Sequence, residues 1–197
     1  MKWPVPRRSQ LGTGALVIAA LSVGQVLVDH LPSGDRAGRP FEHEVGVGQT
    51  VALRTGTLTV TGVDGARSVQ PQRDDRLLSP GVIVVVTFDF TPKVPETTIT
   101  YGQLRDADGR TTALGGARSA VSCPQPPVGI TSHCTAIVEA DPRTLAGARL
   151  TLGPLAIDER FDDVAVADLA ISDRDVATWK KRTTPLKVAS PTVAGMS

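Results

Sequence analysis

The residues of this chain best equipped for chemistry are two thiols and an imidazole: Cys123, Cys134 and His133. A redox pair is normally spaced C-x-x-C with a lowered thiol pKa, and this pair is not. Two thiolates and one histidine fall one ligand short of a closed zinc site. Cys123 and Cys134 are the only cysteines, and they flank the turn-rich Pro124-Gln125-Pro126-Pro127. In an oxidising compartment that arrangement predicts an intramolecular disulfide. Closing so short a loop stabilises a fold by roughly 2–3 kcal/mol in the chain-entropy model.

Other chemical candidates give way to plainer readings. Asp106, Asp108 and Gly109 resemble the start of a calcium loop. With Asp106 in first place, however, Thr111 stands where the sharp turn needs Gly, and Ala117 where a bidentate Glu belongs. A hairpin turn favoured by Asp and Gly fits better. In Glu42-His43-Glu44, neighbouring side chains on an extended chain point in opposite directions, so no chelate forms. The pairs Asp74-Asp75 and Asp162-Asp163 lie in polar stretches with nothing to raise a carboxyl pKa, and they read as solvated surface. The chain has no G-x-S-x-G elbow, Walker loop, H-E-x-x-H or dinucleotide fingerprint. A triad through His133 stays open, because triads assemble from distant positions. No catalytic residue, metal ligand or cofactor is assigned, and the expectation is a protein that is not an enzyme.

The N-terminus decides the compartment. Ser9–Val28 carries no charge and follows Lys2, Arg7 and Arg8. About 20 residues of helix span roughly 30 Å, enough for a bilayer core. The basic flank holds the N-terminus in the cytoplasm and sends the remainder outside. A transmembrane signal anchor is therefore expected over 9–31, behind a basic cytoplasmic segment, 1–8. Ser22-Val23-Gly24 also offers small residues to a signal peptidase, so a secreted form cut after Gly24 is the alternative, although Val26–Val28 continue the apolar run. No cysteine nearby could accept a lipid. Arg7-Arg8 before Leu11 only faintly echoes a twin-arginine signal, since Gln10 stands where an apolar residue is usual.

Positioning elements follow from composition and periodicity. With 41% hydrophobic and 21% charged residues the chain suits a folded core. A formal net charge of +1 argues against a nucleic-acid binder. Pro32–Pro40 opens a flexible stalk, 32–44. Val51 and Leu53, then Leu58, Val60 and Val63, mark two strands around Arg54-Thr55-Gly56, and the alternation in Thr57–Thr61 gives one wet face. Gly65–Pro80 reads as a surface loop. Val82–Phe90 is nearly continuous apolar sequence and predicts a central strand covered on both faces. Further strands are expected at 97–104, 111–114, 135–139 and 148–152, with a helical turn at 141–145; Val164, Val166, Leu169 and Ile171 in 163–171 fit a strand with one break, with a short helix as the alternative. Short strands punctuated by turns point to an all-β antiparallel sandwich over 45–172. Residues 173–197, with Lys180, Lys181, Arg182, Pro185 and Pro191, read as a basic disordered tail whose cations could touch acidic lipid or wall polymer.

The runs Val47–Val51, Leu58–Val63, Val82–Phe90 and Leu104–Arg110 together resemble a family of bacterial immunoglobulin-like extracytoplasmic domains of unknown function. That family has a VGxTV opening strand before a hairpin and a DxDG turn after the central strand. The resemblance spans roughly Val45 to Leu152; where the family has an Asn-rich segment, this chain has Thr91–Pro95. It implies an immunoglobulin-like β-sandwich behind a lipid or helical anchor, and no catalytic residues. The expected role is a membrane-anchored binding or scaffolding module of the cell envelope, with an envelope protein as possible partner. A secreted ligand- or polymer-binding protein and an envelope enzyme are the alternatives.

Overall fold

A computed structural model describes residues 21–25, 39–70, 76–116, 118–154 and 163–195. Residues 1–39 and Pro40–Ser197 form two separate units. In the first, only 21–25 are described before Arg39, and they are helical. The rest of the expected 9–31 span, and the basic 1–8, lie outside the described residues. Among the described residues no helix is long and apolar enough to cross a membrane.

Among its described residues the second unit builds twelve strands and one helix: β1 (Phe41–Gly46), β2 (Thr50–Ala52), β3 (Gly56–Gln70), β4 (Leu77–Pro92), β5 (Tyr101–Arg105), β6 (Thr111–Ala113), β7 (Ala120–Ser122), β8 (Ser132–Ala140), β9 (Arg149–Gly153), β10 (Asp163–Asp168), α1 (Asp173–Lys181), β11 (Leu186–Lys187) and β12 (Thr192–Val193). They form two sheets, β1-β10-β9-β5-β6 and β11-β3-β4-β8-β12, with β2 added on β3 and β7 on β8. Most pairings are antiparallel; β1 with β10 and β11 with β3 are parallel. The chain is a β-sandwich.

Its core forms where the alternating apolar positions of the two sheets meet. Leu58, Val60, Val84, Phe88 and Phe90 from the larger sheet share one buried cluster with Leu104, Leu150, Leu152 and Ala165 from the smaller. The wet face expected for Thr57–Thr61 is present: Leu58 and Val60 are fully buried and the threonines between them are not. On β4 the residues out of phase, Ile83 and Val85, point away from this core yet are also buried, against Val69 and Val188 with Leu77, Ile137 and Leu186 alongside. The unbroken Val82–Val86 run thus has both faces covered, as its sequence requires.

The cover on the outer face comes from the segment expected to be a disordered tail, and this is the main correction. Ser172 caps α1: its hydroxyl accepts from the Asp175 amide while the Asp175 carboxylate accepts from the Ser172 amide. That capping keeps the Asp175 carboxyl below its usual pKa, chiefly through the Ser172 side chain. Val176 and Trp179, three positions apart, turn to the core. The Trp179 ring lies against Gly65 of β3 so closely that a β-carbon there would stand 2.5 Å from the ring. Glycine is what allows this approach in mid-strand. Beyond α1 the chain pairs with β3 at Leu186↔Val69, buries Val188, and reaches β8 at Thr192↔His133. It is a strap from one edge of the larger sheet to the other.

Smaller differences have similar causes. Gly65–Pro80 is not one loop: β3 runs on to Gln70 and β4 starts at Leu77, with buried Ala66, Ser68 and Val69 paired to β4 across a bulge between Ala66 and Ser68. Residues 41–44, expected in the stalk, are β1 paired to β10. The expected helical turn at 141–145 is a tight turn closed by Thr144 N–H to the Asp141 carbonyl at 3.3 Å. The strand expected from Thr97 begins at Tyr101.

Candidate functional site

Cys123 and Cys134 are joined in a disulfide, with α-carbons 4.5 Å apart. The bridge ties the chain after β7 to β8, beside the core. Breaking it with Cys123→Ser is expected to cost roughly 2–3 kcal/mol and several degrees of melting temperature. Differential scanning calorimetry with and without reductant checks this, alongside a thiol count of zero in the native protein.

Asp106, Asp108 and Gly109 make the β5–β6 hairpin turn, with Gly109 at a φ of 81° that suits glycine. Asp106 Oδ1 accepts from the Arg110 amide at 2.8 Å, and Asp108 pairs with the Arg110 guanidinium. Burial alone would raise the Asp106 carboxyl, but hydrogen bonds from Thr144 and Arg110 with the Arg110 charge hold it below its usual value. Asp141 nearby is pulled down to about 2, first by its side-chain hydrogen bond from Arg143. These carboxylates are engaged in turns, and among the described residues no acidic, His or Cys group could hold a metal ion.

Glu42, His43 and Glu44 separate as an extended strand separates them. Glu44 pairs with Arg149 at 2.9 Å, while His43 Nε2 sits 3.4 Å from Asp163 Oδ2. Asp163 also accepts from the Arg54 amide at 2.6 Å, so it is a tie between β10 and the β2–β3 turn and not solvated surface. Asp74, Asp75 and Asp162 lie outside the described residues. His133 Nδ1 meets Asp89 Oδ1 at 2.7 Å across the β4–β8 ladder. The two occupy the outer face of the larger sheet in a cross-strand row with Thr59 and Thr192, and both are substantially exposed.

One concave feature was not legible as a unit in the sequence. A cleft of about 520 Å³ opens where the β3–β4 hairpin meets the end of α1. Arg67 and Arg76 come from the hairpin, Lys180, Lys181 and Arg182 from the helix end, and Ser68, Ser79 and Thr183 add hydroxyls. Arg182 is committed, donating to both Asp64 oxygens at 3.0 Å and to the Gly65 carbonyl at 3.0 Å. Arg76 Nε donates to Ser68 Oγ at 2.7 Å, which fixes the guanidinium plane. Ser79 of the lining donates to Glu139 at 2.5 Å, and Arg118 pairs with the same carboxylate at 3.3 Å. Among the described residues no carboxylate pairs with Arg67, Arg76, Lys180 or Lys181.

No family model matches the chain, so the immunoglobulin-like likeness of its motifs stays a resemblance. No curated protein matches it either. Among solved structures it is similar to an uncharacterized β-sandwich protein from Clostridium difficile 630, with a TM-score of 0.41 and 11% identity over 66% of this chain and 96% of that one.

Proposed function

We propose that this protein is a membrane-anchored, extracytoplasmic β-sandwich of immunoglobulin-like type that works by contact, as a binding or scaffolding module of the cell envelope. The observation that carries the binding role is the open basic cleft, where four cations that have no carboxylate partner among the described residues line one space. The disulfide supports an oxidising compartment. The basic segment ahead of charge-free Ser9–Val28 supports a retained anchor with the N-terminus inside.

A second reading, an envelope enzyme, draws on one specific contact: the His133–Asp89 pair has the base-and-orienter geometry of a hydrolytic triad. The pair is set on an exposed sheet face instead of in a water-excluding pocket, which favours the contact reading.

In cells, the full-length protein is expected to pellet with membranes and resist carbonate extraction. Protease added outside should digest the sandwich and spare the N-terminus. A soluble mature form beginning at Gln25 would replace the anchor with secretion. His133→Ala is expected to leave cellular function intact at unchanged stability, and complete loss would move the proposal to the enzyme.

A further inference from the structure

We infer that the cleft between the β3–β4 hairpin and the end of α1 is a binding site for a multivalent phosphate-bearing anion. Four positive side chains from two separate elements converge there, more than a single carboxylate would require. The lysines at the helix end offset the negative pole of the helix dipole. That does not account for Arg67 and Arg76, which belong to a different element. Guanidinium groups bind phosphate oxygens through paired, planar hydrogen bonds. Arg76 is already oriented by Ser68 through its Nε, so its terminal nitrogens are the donors left for a ligand. Lys180 and Lys181 contribute mobile point charges that tolerate different phosphate spacings. The hydroxyls of Ser68 and Thr183 can complete the shell. A volume of about 520 Å³ lies within the size range of small-molecule sites. Among the described residues, Asp64 is bound by Arg182 and Glu139 by Arg118, which leaves neither free to pair with the four cations.

The inference deepens the contact reading and rests on it for biological meaning, but its test does not depend on location. Full-length protein in uncharged detergent is titrated calorimetrically with sodium tripolyphosphate at low salt. Saturable one-to-one binding is expected, weakening as salt is raised. Arg67→Gln with Arg76→Gln, and separately Lys180→Gln with Lys181→Gln, should each weaken it at least about tenfold, since each pair removes two charge-assisted partners. Arg105→Gln with Arg174→Gln, the same charge change outside the cleft, should leave it within about twofold. Unchanged melting curves confirm folding, and if one cleft pair fails to fold the other decides. No binding, or equal loss in control and cleft variants, overturns the site. A parallel arm uses phosphatidylglycerol and phosphatidylcholine vesicles with detergent-free protein reconstituted in nanodiscs of neutral lipid. Cleft-dependent capture of phosphatidylglycerol vesicles together with tripolyphosphate binding identifies a lipid headgroup as a source, and tripolyphosphate binding alone identifies a soluble anion. Vesicle capture without tripolyphosphate binding overturns the site in favour of a general membrane-surface charge effect. Secretion instead of anchoring would fell the proposed location and leave the isotherm unchanged.

Discussion

Trp179→Ala is expected to destabilise the sandwich by roughly 3–5 kcal/mol, the usual cost of removing a large aromatic from a core. Trp179 is 6% exposed and joins the central cluster from a helix that has only one other buried side chain, Val176. Its loss leaves a space over Gly65 that no neighbouring side chain on α1 can fill. For a domain of this size the melting temperature should fall on the order of 10 °C. A double-mutant cycle isolates the contact. Gly65→Ala in the native background drives a β-carbon to 2.5 Å from the indole and should be costly. In the Trp179→Ala background the same substitution should be far milder, because the obstructing ring is gone. Additive effects would show that the ring and Gly65 are energetically independent.

Removing residues 186–197 should have the second-largest effect, roughly 3 kcal/mol from the lost burial of Leu186, Val188 and the strand face beneath them. Ile83, Val85 and Ile137 would meet water, so the truncated protein should bind a hydrophobic dye that the intact one ignores. Val188→Asp, which puts a carboxylate into the same apolar cluster, should reproduce much of the loss without shortening the chain. Urea denaturation and dye fluorescence measure both outcomes. A truncated protein with an unchanged midpoint would mean that the strap adds nothing to stability.

The two experiments concern the region that sequence reading handled least well, for physical reasons. Val82–Phe90 and Thr57–Thr61 announce themselves because several consecutive residues obey one period. α1 is nine residues long and buries only Val176 and Trp179, too few positions for a periodic signal. Two-residue strands such as β11 and β12 have no period at all. Helix-start chemistry was nonetheless present in Ser172 and Asp175, the S-x-x-D arrangement of a capping box. The hairpin at Asp106–Gly109 was legible since turn residues act locally. The cleft was not, because Lys180 is far in sequence from the hairpin that carries Arg67 and Arg76, and only the docking of α1 brings them together. Only the cationic character of the segment around Lys180 could be read in advance.

The pairing of first strand with late strand has a consequence for how the protein is made. β1 lies beside β10 through Phe41↔Asp163, and β3 lies beside β11 through Leu186↔Val69. An early strand in each sheet therefore waits for a partner made much later along the chain. During synthesis neither sheet can reach its final strand order until its late strands, within residues 163–193, have been made. Contacts of such long sequence separation fold slowly and leave strand edges open meanwhile. The growing chain is thus exposed to mispairing with other chains until then, and a holdase chaperone would act most usefully on β1 and β3.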